Sequence, residues 1–159
     1  MNRRMQKITP CLWFDRNGED AAKFYVSVFK NSKIVAVTHY GEGMPLPEGT
    51  VLTVVFTLDG REFMALNGGP VFKHSPAISF VAGGKTQKDL DRLWAKLSAG
   101  GKPDQCGWLT DKFGVSWQIV PADLKRMLAG KDAARRDRVL AAIMRMTKLD
   151  IAALKKAYG

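Results

Sequence analysis

The chain has few cysteines, few histidines and no long apolar segment. Its 159 residues include two Cys and two His, too few for a disulfide framework or for a structural zinc site. No run reaches the roughly 18 apolar residues that a membrane-spanning helix needs. The basic segment 1–7 precedes a short apolar run interrupted by Pro10, without the length or cleavage site of a signal peptide. These features predict a cytoplasmic protein.

Acidic residues are also scarce, with 15 Asp and Glu against 25 Lys and Arg, so the net charge is +10. The excess is greatest in residues 121–159, which hold 10 Lys and Arg but only 4 Asp and Glu. A basic face of this kind can attract nucleic acid, anionic lipid or an acidic partner, or it can simply be a solvated helix surface. It has neither interleaved aromatic residues nor a known reading motif. A regulatory or nucleic-acid-associated role through this tail is therefore only an alternative hypothesis.

The apolar residues, 46% of the chain, follow the pattern of a β-α-β-β-β unit that occurs twice. In the first unit they predict strands at 8–14, 33–40, 51–58 and 61–66 and a helix at 18–30. Asp59-Gly60 is a strong hairpin signal and predicts antiparallel pairing of its two flanking strands. A repeated unit of this kind predicts a cupped sheet, which is a place to bind a small molecule.

The second unit predicts strands at 77–81, 106–110 and 115–120 and a helix at 85–99, which Thr86 caps and Gly100-Gly101 ends. It leaves little room for a second strand near Lys102, so the repeat is expected to be imperfect. The remaining sequence predicts three helices, at 124–128, at 132–146 and after a cap at Asp150. We therefore expect an α+β fold with module one at about 7–70, module two at about 76–121 and a helical extension at 122–159.

Several strings in these two units resemble a known family, the PhnB-like branch of the vicinal oxygen chelate (glyoxalase/bleomycin-resistance) superfamily, whose members are often labelled 3-demethylubiquinone 3-methyltransferase-like. The strings are ITPCLWFD (8–15), AKFY (22–25), FMALNGGP (63–70), AISF (77–80), QCGWL (105–109) and DKFGVSWQIVP (111–121). The resemblance implies two βαβββ modules that form an eight-stranded, mainly antiparallel cup, commonly in a homodimer. An apolar stripe in the tail, Val139, Leu140, Ile143 and Met144, is a candidate dimer surface.

The resemblance also implies where a metal-dependent relative would bind its divalent ion. Those positions fall at Thr9 or Pro10, Ala65, Ala77 and Gln118, and none of them carries His, Asp or Glu. A divalent ion needs several such donors. We therefore expect no metal and no other cofactor.

Strand alternation then predicts the lining of the cup. If Ala65 and Gln118 face inward, so do their neighbours two residues away, and the lining is mainly apolar with a few polar groups, as in small-molecule sites. The expected ligand-binding residues are Cys11, Trp13, Phe63, Asn67, Ser79, Trp108 and Gln118. Gln118 is a candidate hydrogen-bonding anchor or a polar residue satisfied by its neighbours, and Trp13 and Trp108 are candidate stacking surfaces or packing residues.

No catalytic residue follows from the sequence. Cys11 is a nucleophile by residue type, but no adjacent base or cation is evident that would lower its pKa. The pairs Gly68-Gly69, Gly83-Gly84 and Gly100-Gly101 do not match the glycine-rich turn that binds S-adenosylmethionine in common methyltransferases. We therefore expect a protein that binds a small apolar or aromatic ligand. An enzyme acting on a small organic substrate (a lyase, an isomerase or the ubiquinone methyltransferase of the family label) is the alternative.

Overall fold

A computed structural model describes residues 8–159 of the chain. The basic segment 1–7, which includes the predicted start of module one, lies outside the described residues. The chain divides into two compact units between Lys73 and His74, so the C-terminal helices belong to the second unit. The predicted domain boundary at 121/122 stays a prediction. Within residues 8–159, no helix combines the length and the apolar character needed to cross a membrane.

The first unit is a four-stranded sheet with one helix. Its elements are β1 (Cys11–Phe14), α1 (Gly18–Val28), β2 (Lys33–His39), β3 (Val51–Leu58) and β4 (Arg61–Asn67). The strand order is β1-β4-β3-β2, in which β1 and β4 are parallel and the other pairs are antiparallel. The hairpin predicted at Asp59-Gly60 is confirmed, since both residues have positive φ angles of 47° and 76°, as a two-residue type I′ turn requires.

Helix α1 packs on this sheet through its apolar stripe. Ala21, Ala22, Tyr25 and Val28 recur at helical spacing and are all buried. Opposite them, Val54 and Phe56 of β3 are buried as well. The apolar periodicity read from the sequence therefore identifies the core of this unit.

The second unit repeats this arrangement and adds the C-terminal helices. Its elements are β5 (Ser79–Gly84), α2 (Gln87–Ser98), β6 (Lys102–Pro103), β7 (Trp108–Thr110), β8 (Ser116–Pro121), α3 (Leu124–Ala129), α4 (Ala133–Ile143) and α5 (Ile151–Tyr158). The strand order β5-β8-β7-β6 mirrors that of the first sheet. The second strand, for which the sequence left little room near Lys102, does exist as the two-residue β6. The repeat is complete in topology because two residues suffice to pair with β7.

Helix α2 begins with the predicted cap. The Thr86 side chain accepts a hydrogen bond from the Asp89 backbone N–H, and the Asp89 carboxylate accepts one from the Thr86 backbone N–H, which forms a capping box. Leu90, Leu93 and Leu97 are buried on its inner face.

The C-terminal helices pack on their own unit. Asp132 and Asp150 cap α4 and α5 through their side chains. The Gln87 side chain fastens α5 to the start of α2, since its Nε2 donates to the Leu149 carbonyl and its Oε1 accepts from the Ile151 N–H. Leu149 and Leu154 are consequently buried. The sequence left open whether the helical tail packs on its own chain. Helix α5 does, through these contacts with α2.

A buried carboxylate fixes the β7–β8 connection. Asp111 is only 2% exposed, and its Oδ1 accepts hydrogen bonds from the backbone N–H groups of Phe113 (2.8 Å) and Val115 (3.1 Å). Its Oδ2 accepts a third from the Trp117 indole N–H at 2.8 Å. Charge-assisted hydrogen bonds are stronger than neutral ones. This carboxylate therefore ties the turn to the strand that follows it.

Asp111→Ala leaves three donors, two of them buried, without their acceptor. We expect the free energy of unfolding, measured by urea denaturation, to fall by about 3 kcal/mol. Asp111→Asn is expected to lose less, since one oxygen remains. The matched control is Asp104→Ala, an exposed aspartate before β7, with an expected change within about 0.5 kcal/mol. Equal losses for Asp111→Ala and Asp104→Ala would contradict this role.

Candidate functional site

The pairing of β1 with β4 defines two faces of the first sheet. Leu12 lies opposite Ala65 and Phe14 opposite Asn67, and all four are buried on the side of α1. Cys11 lies opposite Met64, and Trp13 lies opposite Leu66. Directly paired residues place their side chains on the same side of a sheet. We call the second side, which carries Cys11, Trp13, Met64 and Leu66, the open face of the first unit.

Three residues expected in the lining of the cup lie on the helix side instead. Phe63 stacks on Phe56 at 5.6 Å, and Phe56 stacks on Tyr25 of α1 at 6.3 Å. Ala65 and Asn67 lie against Gly18 at the start of α1. The expectation that Phe63, Ala65 and Asn67 share a face with Cys11 and Trp13 is therefore wrong. Alternation relates positions within one strand only and does not relate β4 to β1. In the structure Cys11 pairs with Met64 rather than with Ala65, so the side chains of β4 that share the face of Cys11 are one residue away from those expected.

Asn67 is occupied by contacts inside its own unit. It is 2% exposed, and its Oδ1 accepts a hydrogen bond from the Gly18 N–H at 2.8 Å while its Nδ2 donates to the Val51 carbonyl at 3.1 Å. The Tyr40 hydroxyl donates to the Asn67 backbone carbonyl at 2.6 Å. The side-chain cap that α1 lacks at Asn17 is thus supplied by Asn67 from the neighbouring strand.

Trp13 is held in one orientation on the open face. Its indole N–H donates to the Gly69 carbonyl at 2.8 Å, and Phe72 contacts the ring edge to face at a centroid distance of 4.9 Å. Gly68 lies so close to the ring that an added Cβ would overlap it. The polar group of Trp13 is therefore satisfied, and the ring offers an apolar surface only.

Gly68→Ala is expected to displace the Trp13 ring, because the new methyl group and the indole cannot occupy the same space. The Trp13 indole N–H signal in a ¹H–¹⁵N spectrum should shift, and the free energy of unfolding should fall by about 1–3 kcal/mol. In the control Gly41→Ala, the new Cβ meets only Met44 at an ordinary contact distance of 3.7 Å. If both variants leave the Trp13 signal in place, this packing is not what orients the ring.

Cys11 lies on the same face as Trp13, and it is exposed although its thiol is partly desolvated. Burial raises the pKa of the Cys11 thiol above its ordinary value, so the reactive thiolate is scarcer at neutral pH than for a free cysteine. Its position on the open face agrees with the expected cup lining. Its chemistry does not favour catalysis.

The open face of the second unit carries the other expected residues. Ser79 of β5 pairs with Ser116 of β8, and Val81 of β5 pairs with Gln118 of β8. On the other flank of β8, Trp108 of β7 also pairs with Gln118. The Gln118 Nε2 donates to the Ser79 Oγ at 3.0 Å. The neighbouring positions on these strands, Leu109, Trp117 and Ile119, are buried. Ser79, Trp108 and Gln118 therefore lie together on one face of the second sheet.

Polar groups remain available on this face. The Ser116 Oγ is buried and has no hydrogen-bond partner in the part of the chain that the structure describes. Within that same part, the Gln118 Oε1 accepts no hydrogen bond, since only its Nε2 is engaged. Val81 beside them is 64% exposed. The face thus combines the apolar surface of Val81 with one hydrogen-bonded polar pair, Gln118 and Ser79.

The residues do not fit a divalent metal. Of the four positions implied for a metal, Ala65 lies on the helix side, and the residues of β4 on the open face are Glu62, Met64 and Leu66. Glu62 accepts a hydrogen bond from the Thr9 hydroxyl at 3.3 Å. No group of three or more His, Cys, Asp or Glu with metal-binding geometry occurs among residues 8–159. A single carboxylate cannot supply the donor set that such ions need.

Sequence reasoning missed the residues of β4 that share the open face, namely Glu62, Met64 and Leu66. The signal that could have found them is the parallel register of the first and last strands, in which Cys11 pairs with Met64. This register is a tertiary property, and alternation within one strand does not contain it.

Comparison with known proteins identifies the family. The family model for 3-demethylubiquinone-9 3-methyltransferase matches residues 6–120. A Bacillus cereus PhnB protein, named as a 3-demethylubiquinone-9 3-methyltransferase, is 38% identical over 74% of this chain and 100% of its own, with a TM-score of 0.68. None of the curated proteins compared with the chain matches it.

Two more distant structures share the fold alone. A protein from Pseudomonas aeruginosa is 21% identical over 72% of this chain and 96% of its own, with a TM-score of 0.59. The fosfomycin resistance protein FosX from Mesorhizobium loti is 15% identical over 82% of this chain and 100% of its own, with a TM-score of 0.54. Given the family match and the repeated βαβββ topology, the chain belongs to the 3-demethylubiquinone-9 3-methyltransferase family, to which the PhnB protein is also assigned by name.

Proposed function

We propose that this protein binds a small, largely apolar or aromatic organic molecule, without a metal ion, on the open face of its second unit. The observation that carries the proposal is the cluster on the second sheet, where Gln118 is hydrogen-bonded to Ser79 beside Trp108. An amide next to an aromatic ring and exposed apolar surface is the usual makeup of a site for a small molecule. The Gln118 Oε1 is the group best suited to accept a hydrogen bond from a ligand hydroxyl or amide.

Binding without catalysis is the function that these side chains support. General acid–base chemistry needs a group whose pKa lies near the working pH, and the thiol of Cys11 has a raised pKa. Binding requires only shape and a few polar contacts. The chain therefore resembles a sequestering protein more than an enzyme.

The glycine pairs give no support to methyl transfer, because close packing accounts for glycine in each. An added Cβ would overlap Trp13 at Gly68, the Val120 backbone at Gly83 and the Thr110 backbone at Gly101. These glycines allow close approach of protein to protein. We treat the methyltransferase name as a family label.

Gln118→Ala is expected to weaken ligand binding by about 1–3 kcal/mol, because a buried hydrogen bond is lost. A neutral ligand would first be selected by thermal shift from a panel of quinones, naphthols and coumarins, and its affinity measured by calorimetry. Gln105→Ala is the matched control, since Gln105 is exposed in the turn before β7. The ligand affinity of Trp13→Ala tests the open face of the first unit in the same way. That Trp13 and Gln118 contact one ligand stays a prediction.

The same titration repeated in EDTA tests the absence of a metal. We expect unchanged affinity, and a loss of binding that Mn²⁺ or Zn²⁺ restores would contradict the metal-free site. Wild-type affinity in folded Gln118→Ala would contradict the role of Gln118.

We further propose a homodimer to which the C-terminal helices contribute. Val139 of α4 is buried within its unit, but Leu140 and Met144 are 40% and 73% exposed. Exposed apolar side chains one helical turn apart are typical of an interaction surface.

Sedimentation should give twice the 17.6 kDa of one chain, and Leu140→Glu with Met144→Glu should shift the protein to the monomer. Ala134→Glu, an exposed alanine near the start of α4, is the control and should remain dimeric. A wild-type protein that sediments as a monomer at micromolar concentration excludes the dimer.

A further inference from the structure

A cavity of about 360 Å³ lies within the second unit, where the sheet meets α3 and α5. Its floor is apolar: Ala122 and Ile151 on it are accessible to solvent, whereas Met127 and Leu154 are 2% and 0% exposed. Lys85 and Lys155 also line it, and both are exposed to solvent. The volume falls in the range of small-ligand sites.

Chain topology brings these residues together. β5 and β8 are parallel, with Gly84 opposite Pro121, and the Ala122 N–H donates to the Gly84 carbonyl at 2.9 Å. The segments that begin at Lys85 and Ala122 follow these two strands, so they leave the sheet at the same end. Helix α5, held there by Gln87, closes the cavity from the other side.

The charge at this cavity is unbalanced. Asp123 is bound by Arg126, with N–O distances of 2.7 and 2.5 Å. These hydrogen bonds, with a smaller contribution from the charge of Lys155, hold the pKa of Asp123 below its ordinary value. Within the described chain, no ion pair involves Lys85 or Lys155. Two ammonium groups thus border an apolar floor, while Asp123, the carboxylate in the lining of the cavity, is already paired with Arg126.

We propose that this cavity is a second binding site, for a small amphipathic organic anion such as a short-chain carboxylate. The alkyl chain lies on the part of the floor that Ala122 and Ile151 form, and the carboxylate is attracted to the rim of Lys85 and Lys155. An apolar floor favours the alkyl chain by the hydrophobic effect, and the excess positive charge selects an anion over a neutral analogue. The site is separate from the proposed function, because none of its lining residues belongs to an open face.

Octanoate is the probe, and its binding is followed by ¹H–¹⁵N and methyl NMR titration of the full chain. We expect saturable shifts centred on Met127, Ile151 and Leu154, with a dissociation constant on the order of 1 mM. Lys85→Gln and Lys155→Gln should each weaken binding by about two- to fivefold, and the double variant by roughly tenfold. Lys156→Gln, which removes the neighbouring exposed charge on α5 without touching the cavity, should bind like the wild type.

Two further arms separate this site from general attraction to a basic surface. Uncharged 1-octanol should bind more weakly than octanoate, and Ala122→Phe, which fills the cavity but keeps both lysines, should abolish the shifts. Octanoate shifts scattered over the basic surface, or equal affinity in the double lysine variant and in Lys156→Gln, would overturn the proposal. Far-UV circular dichroism confirms that each variant is folded, since the substituted side chains are exposed.

Discussion

The parallel pairing of the first strand with the last strand of each unit is the constraint on which the rest of the structure depends. Parallel neighbouring strands need a crossover connection. In each unit this connection begins with a helix, α1 or α2, which covers one face of the sheet. The register then decides which side chains join the core and which remain on the other face: Leu12 with Ala65, but Cys11 with Met64. A shift of one residue would exchange these two sets. The register of this backbone pairing therefore decides which side chains are available to a ligand on these sheets.

Each unit secures its geometry with one buried polar side chain. In the first unit, the Asn67 amide joins the start of α1 to the start of β3. In the second, the Asp111 carboxylate joins a turn to the indole of Trp117. Buried polar groups destabilise a protein when they lack partners and specify one arrangement when they are fully bonded. Both side chains come from the ends of strands, where backbone groups lose their sheet partners, so they compensate for the interruption of regular structure.

The sequence predicted the elements well because they depend on local chemistry. Apolar periodicity located α1 and α2, Asp59-Gly60 located the first hairpin, and Thr86 and Asp150 were identified as helix caps. Prediction failed where tertiary contacts decide. Asn67 was expected to contact a ligand, since a polar residue at a strand end reads the same whether it faces a cavity or a helix terminus. The strand β6 was missed because two residues carry no periodicity. The common face of Ser79 and Gln118 can be read from alternation, because the buried Trp117 and Ile119 define the opposite face of β8.

The shortness of β6 affects how copies of this chain behave at high concentration. An edge strand presents unpaired backbone groups that can template pairing with another molecule. β6 offers only Lys102 and Pro103, and proline has no N–H to donate. The longer edge strand β2 begins with Lys33 and carries register irregularities at Ile34/Ala36 and Thr38/His39, which twist a strand away from a flat partner. Each sheet thus has one border that resists edge-to-edge aggregation, and replacing Pro103 by a β-branched residue would remove that protection from the second unit.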